Sequence, residues 1–133
     1  MYYLKLYLLT LAVFLGLDSV WLGVVSRGFY SEQLGYLMRP SPQWVAAGAF
    51  YFFNIFGILI FVVLPALERK SMGRAGMLGI LFGFFTYATY DLTNLATVRD
   101  WPLRVTFVDL GWGMILTGVV SSLSYLIATR IRK

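Results

Sequence analysis

Three aspartates, Asp18, Asp91 and Asp109, lie inside long apolar segments of this sequence. A carboxylate at the centre of a bilayer costs about 2.5–3.5 kcal/mol, so such residues usually face the interior of a helix bundle and mark a site. Each lies near an arginine at one end of its segment, and Asp18 is placed about 13 Å below the boundary set by Arg27. All three therefore fall in the same half of a membrane, and this shared depth predicts one polar pocket.

Other side chains share the aspartate face of these segments at helical spacing. Carboxylates that lie close together cannot all stay ionised without a counter-charge, which an arginine at the rim or a bound cation would supply. Arg104 is the rim residue we place in the pocket, with Arg99 and Arg27 as alternatives. Aromatic walls beside carboxylates suit an organic cation. The predicted ligand-binding residues are Asp18, Trp21, Tyr51, Asn54, Tyr87, Tyr90, Asp91, Asn94, Arg104, Asp109 and Trp112.

The composition excludes several classes of chemistry. The chain has no His and no Cys, which removes disulfides, thiol chemistry, the usual zinc and haem ligands and a Ser-His-Asp relay. Three aspartates at this spacing match no known metal motif, so we predict neither a metal nor a cofactor. In 133 residues, 59% are hydrophobic and only 13% are charged, about half the charge of a typical soluble domain. A soluble globular enzyme is close to excluded.

The elements that must position these residues are membrane-spanning helices. A span needs about 20 mostly apolar residues, and four segments qualify. They are too long and too continuous for membrane strands. We predict an all-α, integral membrane four-helix bundle, formed by a single transmembrane domain over residues 1–133. The spans cover about residues 3–25, 44–67, 76–98 and 105–129.

The distribution of basic residues predicts the orientation. Seven lie on one side of the predicted spans and four on the other, and the richer side should be cytoplasmic. Both termini are then cytoplasmic, and we expect a multi-pass protein of the bacterial inner membrane. The net charge of +5 is spread over the ends of apolar segments, so it does not indicate nucleic-acid binding. The richer side holds Lys5, Arg69, Lys70, Arg74, Arg130, Arg132 and Lys133; the other holds Arg27, Arg39, Arg99 and Arg104.

The segment from Ser26 to Gln43 is the one long connection, and it lies on the outer side. Ser31 is a candidate N-cap for a short amphipathic helix through Leu34. Such a helix lies in the membrane interface. Two interpretations stay open: a lid over the mouth of the bundle, or a connector anchored by aromatic residues.

Two short motifs resemble each other, namely Asp18-Ser-Val-Trp21 and Asp109-Leu-Gly-Trp112. Together with the run Tyr87-Ala-Thr-Tyr90-Asp91-Leu-Thr-Asn94 they resemble the signature of the DUF2177 family of small four-span bacterial membrane proteins. Phe50-Tyr51 with Asn54 fits the second span of that family, and the resemblance covers nearly the whole chain. The resemblance implies the architecture and no particular activity.

Three functions are compatible with such a pocket. The first is binding or transport of a small amphipathic or cationic molecule, with a homodimer needed for a full path. The second is an accessory or structural subunit of a larger membrane complex, in which the aspartates join helices. The third is a lipid-modifying membrane enzyme that uses carboxylate acid–base chemistry. The expected partners are the lipid bilayer and a small-molecule or lipid ligand, without nucleic acid.

Overall fold

The protein is all-α, as predicted. The computed structural model describes residues 1–132, so Lys133, one of the basic residues used for the orientation, lies outside the described part. Helices make up 85% of residues 1–132, and these residues contain no strand. The helices are α1 (Tyr2–Val20), continued by a π-helical turn (Trp21–Val25); α2 (Arg27–Leu34); α3 (Trp44–Ile58), continued by a π-helical turn (Leu59–Val63) and α4 (Leu64–Glu68); α5 (Met72–Thr97); and α6 (Leu103–Ile131).

Local chemistry explains several helix boundaries. The Gln43 side chain accepts a hydrogen bond from the Ala46 backbone N–H at the start of α3, at 2.8 Å. Ser71 caps α5 in the same way through the Arg74 N–H, at 3.1 Å. Each cap satisfies a backbone donor that has no partner within its own helix. Pro65, which has no N–H to donate, lies in the first turn of α4, two residues after the second π-helical turn ends at Val63.

Three helices within residues 1–132 are long and apolar enough to cross a membrane, namely Tyr2–Val25, Trp44–Glu68 and Leu103–Ile131. The segment predicted at 76–98 is helical as well, as part of the 26-residue α5. It is not among those three, because its Gly, Thr and Tyr residues and Asp91 lower its hydropathy. Residues 1–132 therefore form an all-α membrane protein in which three helices meet the criteria for a span.

Glycines bring α5 and α6 into the most extensive helix–helix contact of the structure. Gly79 and Gly83 are buried against Thr117 and Gly113 of α6, where a Cβ would collide with backbone oxygen atoms. α1 packs on the other side of α6, and Thr10 and Ser124 form a buried hydrogen bond there at 2.6 Å. These close contacts hold α1 and α5 against α6, the helix that carries Asp109 and Trp112.

Candidate functional site

A cavity of about 630 Å³ lies at the end of the bundle that α2 covers. Its walls come from the end of α1 and the π-helical turn that continues it, from α2, from the first half of α3, from the second half of α5, and from Trp101 and the first third of α6. Six of the predicted site residues line it, and no Lys or Arg is among the described residues that do so. The predicted residues in the lining are Asp18, Trp21, Tyr87, Tyr90, Asp109 and Trp112.

Asp18 is held by two donors from different helices. Tyr51 of α3 donates its hydroxyl to Asp18 Oδ2 at 3.0 Å, and Trp112 of α6 donates Nε1–H to Asp18 Oδ1 at 3.2 Å. The carboxyl is 9% exposed. Hydrogen bonds to a carboxylate are stronger than those between neutral groups. Asp18 therefore joins α1, α3 and α6 and fixes the Trp112 ring on the cavity wall.

Asp109 is linked to Trp21 by two consecutive hydrogen bonds through the Tyr30 hydroxyl. Tyr30 of α2 donates its hydroxyl to Asp109 Oδ1 at 2.9 Å, and Trp21 Nε1–H donates to the same Tyr30 oxygen at 3.1 Å. Burial raises the pKa of the Tyr30 hydroxyl, and the neighbouring Asp109 carboxyl raises it further. Tyr30 therefore keeps its proton at neutral pH and holds α2 against the cavity.

The two tryptophans of the similar motifs stack on each other. The Trp21 and Trp112 ring centroids are 4.5 Å apart and the planes differ by 8°. Each tryptophan is hydrogen-bonded toward the aspartate of the other motif. Trp112 donates directly to Asp18, and Trp21 is linked to Asp109 through the Tyr30 hydroxyl. The result is a flat aromatic surface with a carboxyl group on each side.

Asp91 lies behind this wall. Its side chain is fully buried beside Asp109, and neither oxygen atom has a hydrogen-bond partner in the described structure. Buried polar groups are almost always paired, so this carboxyl needs an explanation. A proton shared with Asp109 would give this carboxyl a partner. The residues described do not bring three acidic side chains together in a group that would hold a metal ion.

The remaining predicted residues lie elsewhere. Tyr51 contacts Asp18 without lining the cavity, and Asn54 is buried with its Nδ2 atom unpaired among residues 1–132. Asn94 is half-buried on α5 outside the lining. Arg104, predicted at the rim, is exposed and is also outside the lining.

Several lining residues were not predicted, above all Tyr30 and Trp101. Trp101 is buried, meets Tyr90 edge to face at 5.8 Å between centroids, and its Nε1–H has no partner in the part of the chain described. Tyr30 lies on α2, which begins four residues before the predicted cap Ser31. The amphipathic pattern of that segment was the available signal, and its contact with Asp109 favours the lid interpretation.

Comparison with known proteins gives one result. The sequence model of a family described as "Predicted membrane protein (DUF2177)" matches residues 3–126. No curated protein and no solved structure matches the chain.

Proposed function

We propose that this chain, which belongs to the DUF2177 family of predicted membrane proteins, binds or transports a small amphipathic or cationic molecule in the cavity described above. The bilayer surrounds the protein, and the ligand lies in the cavity beside the stacked tryptophans and the carboxyls of Asp18 and Asp109. A homodimer would supply the rest of a path in the case of transport.

One observation carries this proposal: the cavity combines carboxyls with aromatic faces and has no Lys or Arg in its described lining. A cation over an aromatic ring gains about 0.5–2 kcal/mol. A carboxylate beside a desolvated cation adds an attraction that water would otherwise screen. An organic cation therefore matches both features of the wall at once, whereas an anion would meet unfavourable charge.

We also propose that α5 is a fourth span. Its 26 residues extend about 39 Å, enough to cross a bilayer. Asp91, the acidic residue in its second half, is buried against the bundle rather than facing lipid. Four spans with the counted basic residues place both termini in the cytoplasm of a bacterial cell, with the cavity in the outer half of the inner membrane.

Tryptophan fluorescence tests the binding proposal directly. Of the four tryptophans, three line the cavity, and Trp44 is 72% exposed at the start of α3. In a Trp44→Phe background, benzyltrimethylammonium titrated into protein in phosphatidylcholine nanodiscs should give saturable quenching. Asp109→Asn keeps an oxygen for the Tyr30 hydroxyl and removes the charge. We expect it to weaken binding at least tenfold, which corresponds to about 1.4 kcal/mol.

Asp100→Asn is the matched control. Asp100 is exposed between α5 and α6 and has a φ of 60°, which Asn tolerates. This variant changes the net charge equally and should bind the probe as the parent protein does. Equal weakening by both substitutions, or quenching that never saturates in the parent protein, would contradict the proposal.

A further inference from the structure

α3 and α5 both contribute residues to the cavity wall. α5 packs against α4 and the preceding π-helical turn, whereas α3 makes no comparable contact with α5. The two helices therefore separate toward the end that α2 covers. Phe50 on α3 and Tyr90 on α5 line the cavity and are 48% and 55% exposed. We call this gap the α3–α5 cleft, bounded by Phe50 on one side and by Thr86, Thr89, Tyr90 and Thr93 on the other.

The depth of the cleft places it beside hydrocarbon rather than water. Thr93 and Thr86 lie four and eleven residues before the end of α5 at Thr97, which corresponds to about 6 and 16 Å along the helix. Phe50 lies six residues after the start of α3 at Trp44, about 9 Å along its axis. Half of a bilayer's hydrocarbon core is about 15 Å thick. The cleft therefore faces lipid chains in the leaflet on the α2 side.

The threonines of the cleft have their donors satisfied inside α5. Thr86 donates its hydroxyl to the Phe82 carbonyl at 2.9 Å and Thr89 to the Phe85 carbonyl at 2.6 Å. Thr93 donates in the same way to the Thr89 carbonyl. Since these hydroxyls need no partner from outside the helix, the wall is compatible with an apolar chain passing over it.

The interior of the cavity differs from the cleft. Asp18 and Asp109 line it beside the stacked tryptophans. The buried Nε1–H of Trp101, which lines the cavity, has no partner in the described structure. Since this nitrogen atom is itself buried, Trp101 contributes its ring and not its N–H to the cavity wall.

Resting on the proposed cation binding, we infer that the ligand is an amphiphile with a cationic amine head and one hydrocarbon chain, which enters from the membrane through the α3–α5 cleft. The head lies beside Asp18 and Asp109. The chain leaves through the cleft into the leaflet. Charge at the inner end and apolar surface at the outer end match such a molecule along its whole length.

Two probes of different length test this inference. Dodecyltrimethylammonium and benzyltrimethylammonium are titrated into the Trp44→Phe protein in phosphatidylcholine nanodiscs, and the concentration of each is expressed as its mole fraction in the bilayer. Thr89→Phe, and separately Thr93→Phe, place a bulky ring in the cleft at exposed positions. We expect each to weaken binding of the dodecyl probe at least tenfold and that of the benzyl probe less than threefold.

Leu92→Phe is the matched control, because Leu92 is exposed on α5 outside the cavity lining. It should leave both probes unaffected. If both threonine variants bind the dodecyl probe as the parent does while the benzyl probe still binds, the lateral entry is wrong and the cation site stands. If the benzyl probe fails to bind the parent protein, the proposed function itself falls, and this inference falls with it.

Discussion

At the scale of single residues, the Tyr30 hydroxyl connects three helical segments of the cavity wall. Its hydroxyl accepts from Trp21 and donates to Asp109, so one oxygen atom joins α1, α2 and α6. A buried indole N–H needs an acceptor, and a carboxyl next to it needs a donor. Tyr30 supplies both functions, and no Lys or Arg is among the described residues that line the cavity.

Tyr30→Phe should therefore lower stability at pH 8 by about 1–2 kcal/mol, because it leaves the Trp21 N–H and one Asp109 oxygen without their partner. The deficit should shrink at alkaline pH. Unfolded tyrosine ionises near pH 10, whereas burial raises the pKa of folded Tyr30. The parent protein thus keeps the full contribution of this group below about pH 10 and loses it as the pH rises further.

Thermal unfolding in detergent from pH 8 to 11 measures the difference between the parent and Tyr30→Phe. Tyr36→Phe is the control, since Tyr36 is exposed and donates to the Asp100 carbonyl; its deficit at pH 8 should be smaller. A difference between the parent and Tyr30→Phe that stays constant or widens above pH 10 would contradict this account.

At the scale of the elements, the α5–α6 pair is the scaffold for the site. Asp91 and Asp109 lie on these two helices, and their separation depends on how closely the backbones approach. Gly83 sets that approach, because it lies directly against the Gly113 backbone. Small residues at such crossings replace the hydrophobic driving force that is missing between helices in lipid.

Gly83→Ala should destabilise the protein by about 1–3 kcal/mol, since the added methyl group forces the two helices apart. Gly16→Ala is the matched control on α1, where a Cβ would meet nothing within 4 Å. It should be neutral or stabilising by about 0.5–1 kcal/mol, because Ala has the higher helix propensity. Unfolding in mixed micelles with increasing SDS measures both, and equal effects would show that the close crossing does not limit stability.

At the scale of the whole molecule, the arrangement in the membrane decides what the cavity faces. Three helices meet the criteria for a span within residues 1–132, and α5 is the proposed fourth. With four spans the two flanks of α5 lie on opposite sides of the membrane. With three, they share a side, and the cavity would face a different compartment.

The natural absence of cysteine allows a direct test of this topology. Glu68→Cys before α5 and Leu103→Cys after it replace exposed residues and keep the basic residues unchanged. A membrane-impermeant maleimide should label Leu103→Cys in intact cells, and Glu68→Cys only after the membrane is opened. Ser41→Cys, in the connection between α2 and α3, should behave as Leu103→Cys does. Labelling of both α5 flanks in intact cells would exclude the fourth span.

Long apolar runs are a local property, so the sequence by itself determined the membrane class, the all-α architecture and the approximate bounds of the long helices. The predicted depth of Asp18 and Asp109 in the membrane rests on counting residues along a helix. The sequence did not predict the hydrogen-bond partners of these two aspartates. Which Trp is linked to which Asp depends on how helices that are distant in the chain cross. The π-helical turn at Trp21–Val25 also changes the direction of side chains in a way that a regular helical period does not describe.

Tertiary structure alone brought Tyr30 to Asp109, left Arg104 outside the cavity lining and opened the α3–α5 cleft. These outcomes depend on the packing of glycines and aromatic rings between segments far apart in the chain, where small shifts of a helix decide which side chains meet. The sequence therefore predicts the depth at which the polar groups lie in the membrane, and the packing decided which of them line the cavity.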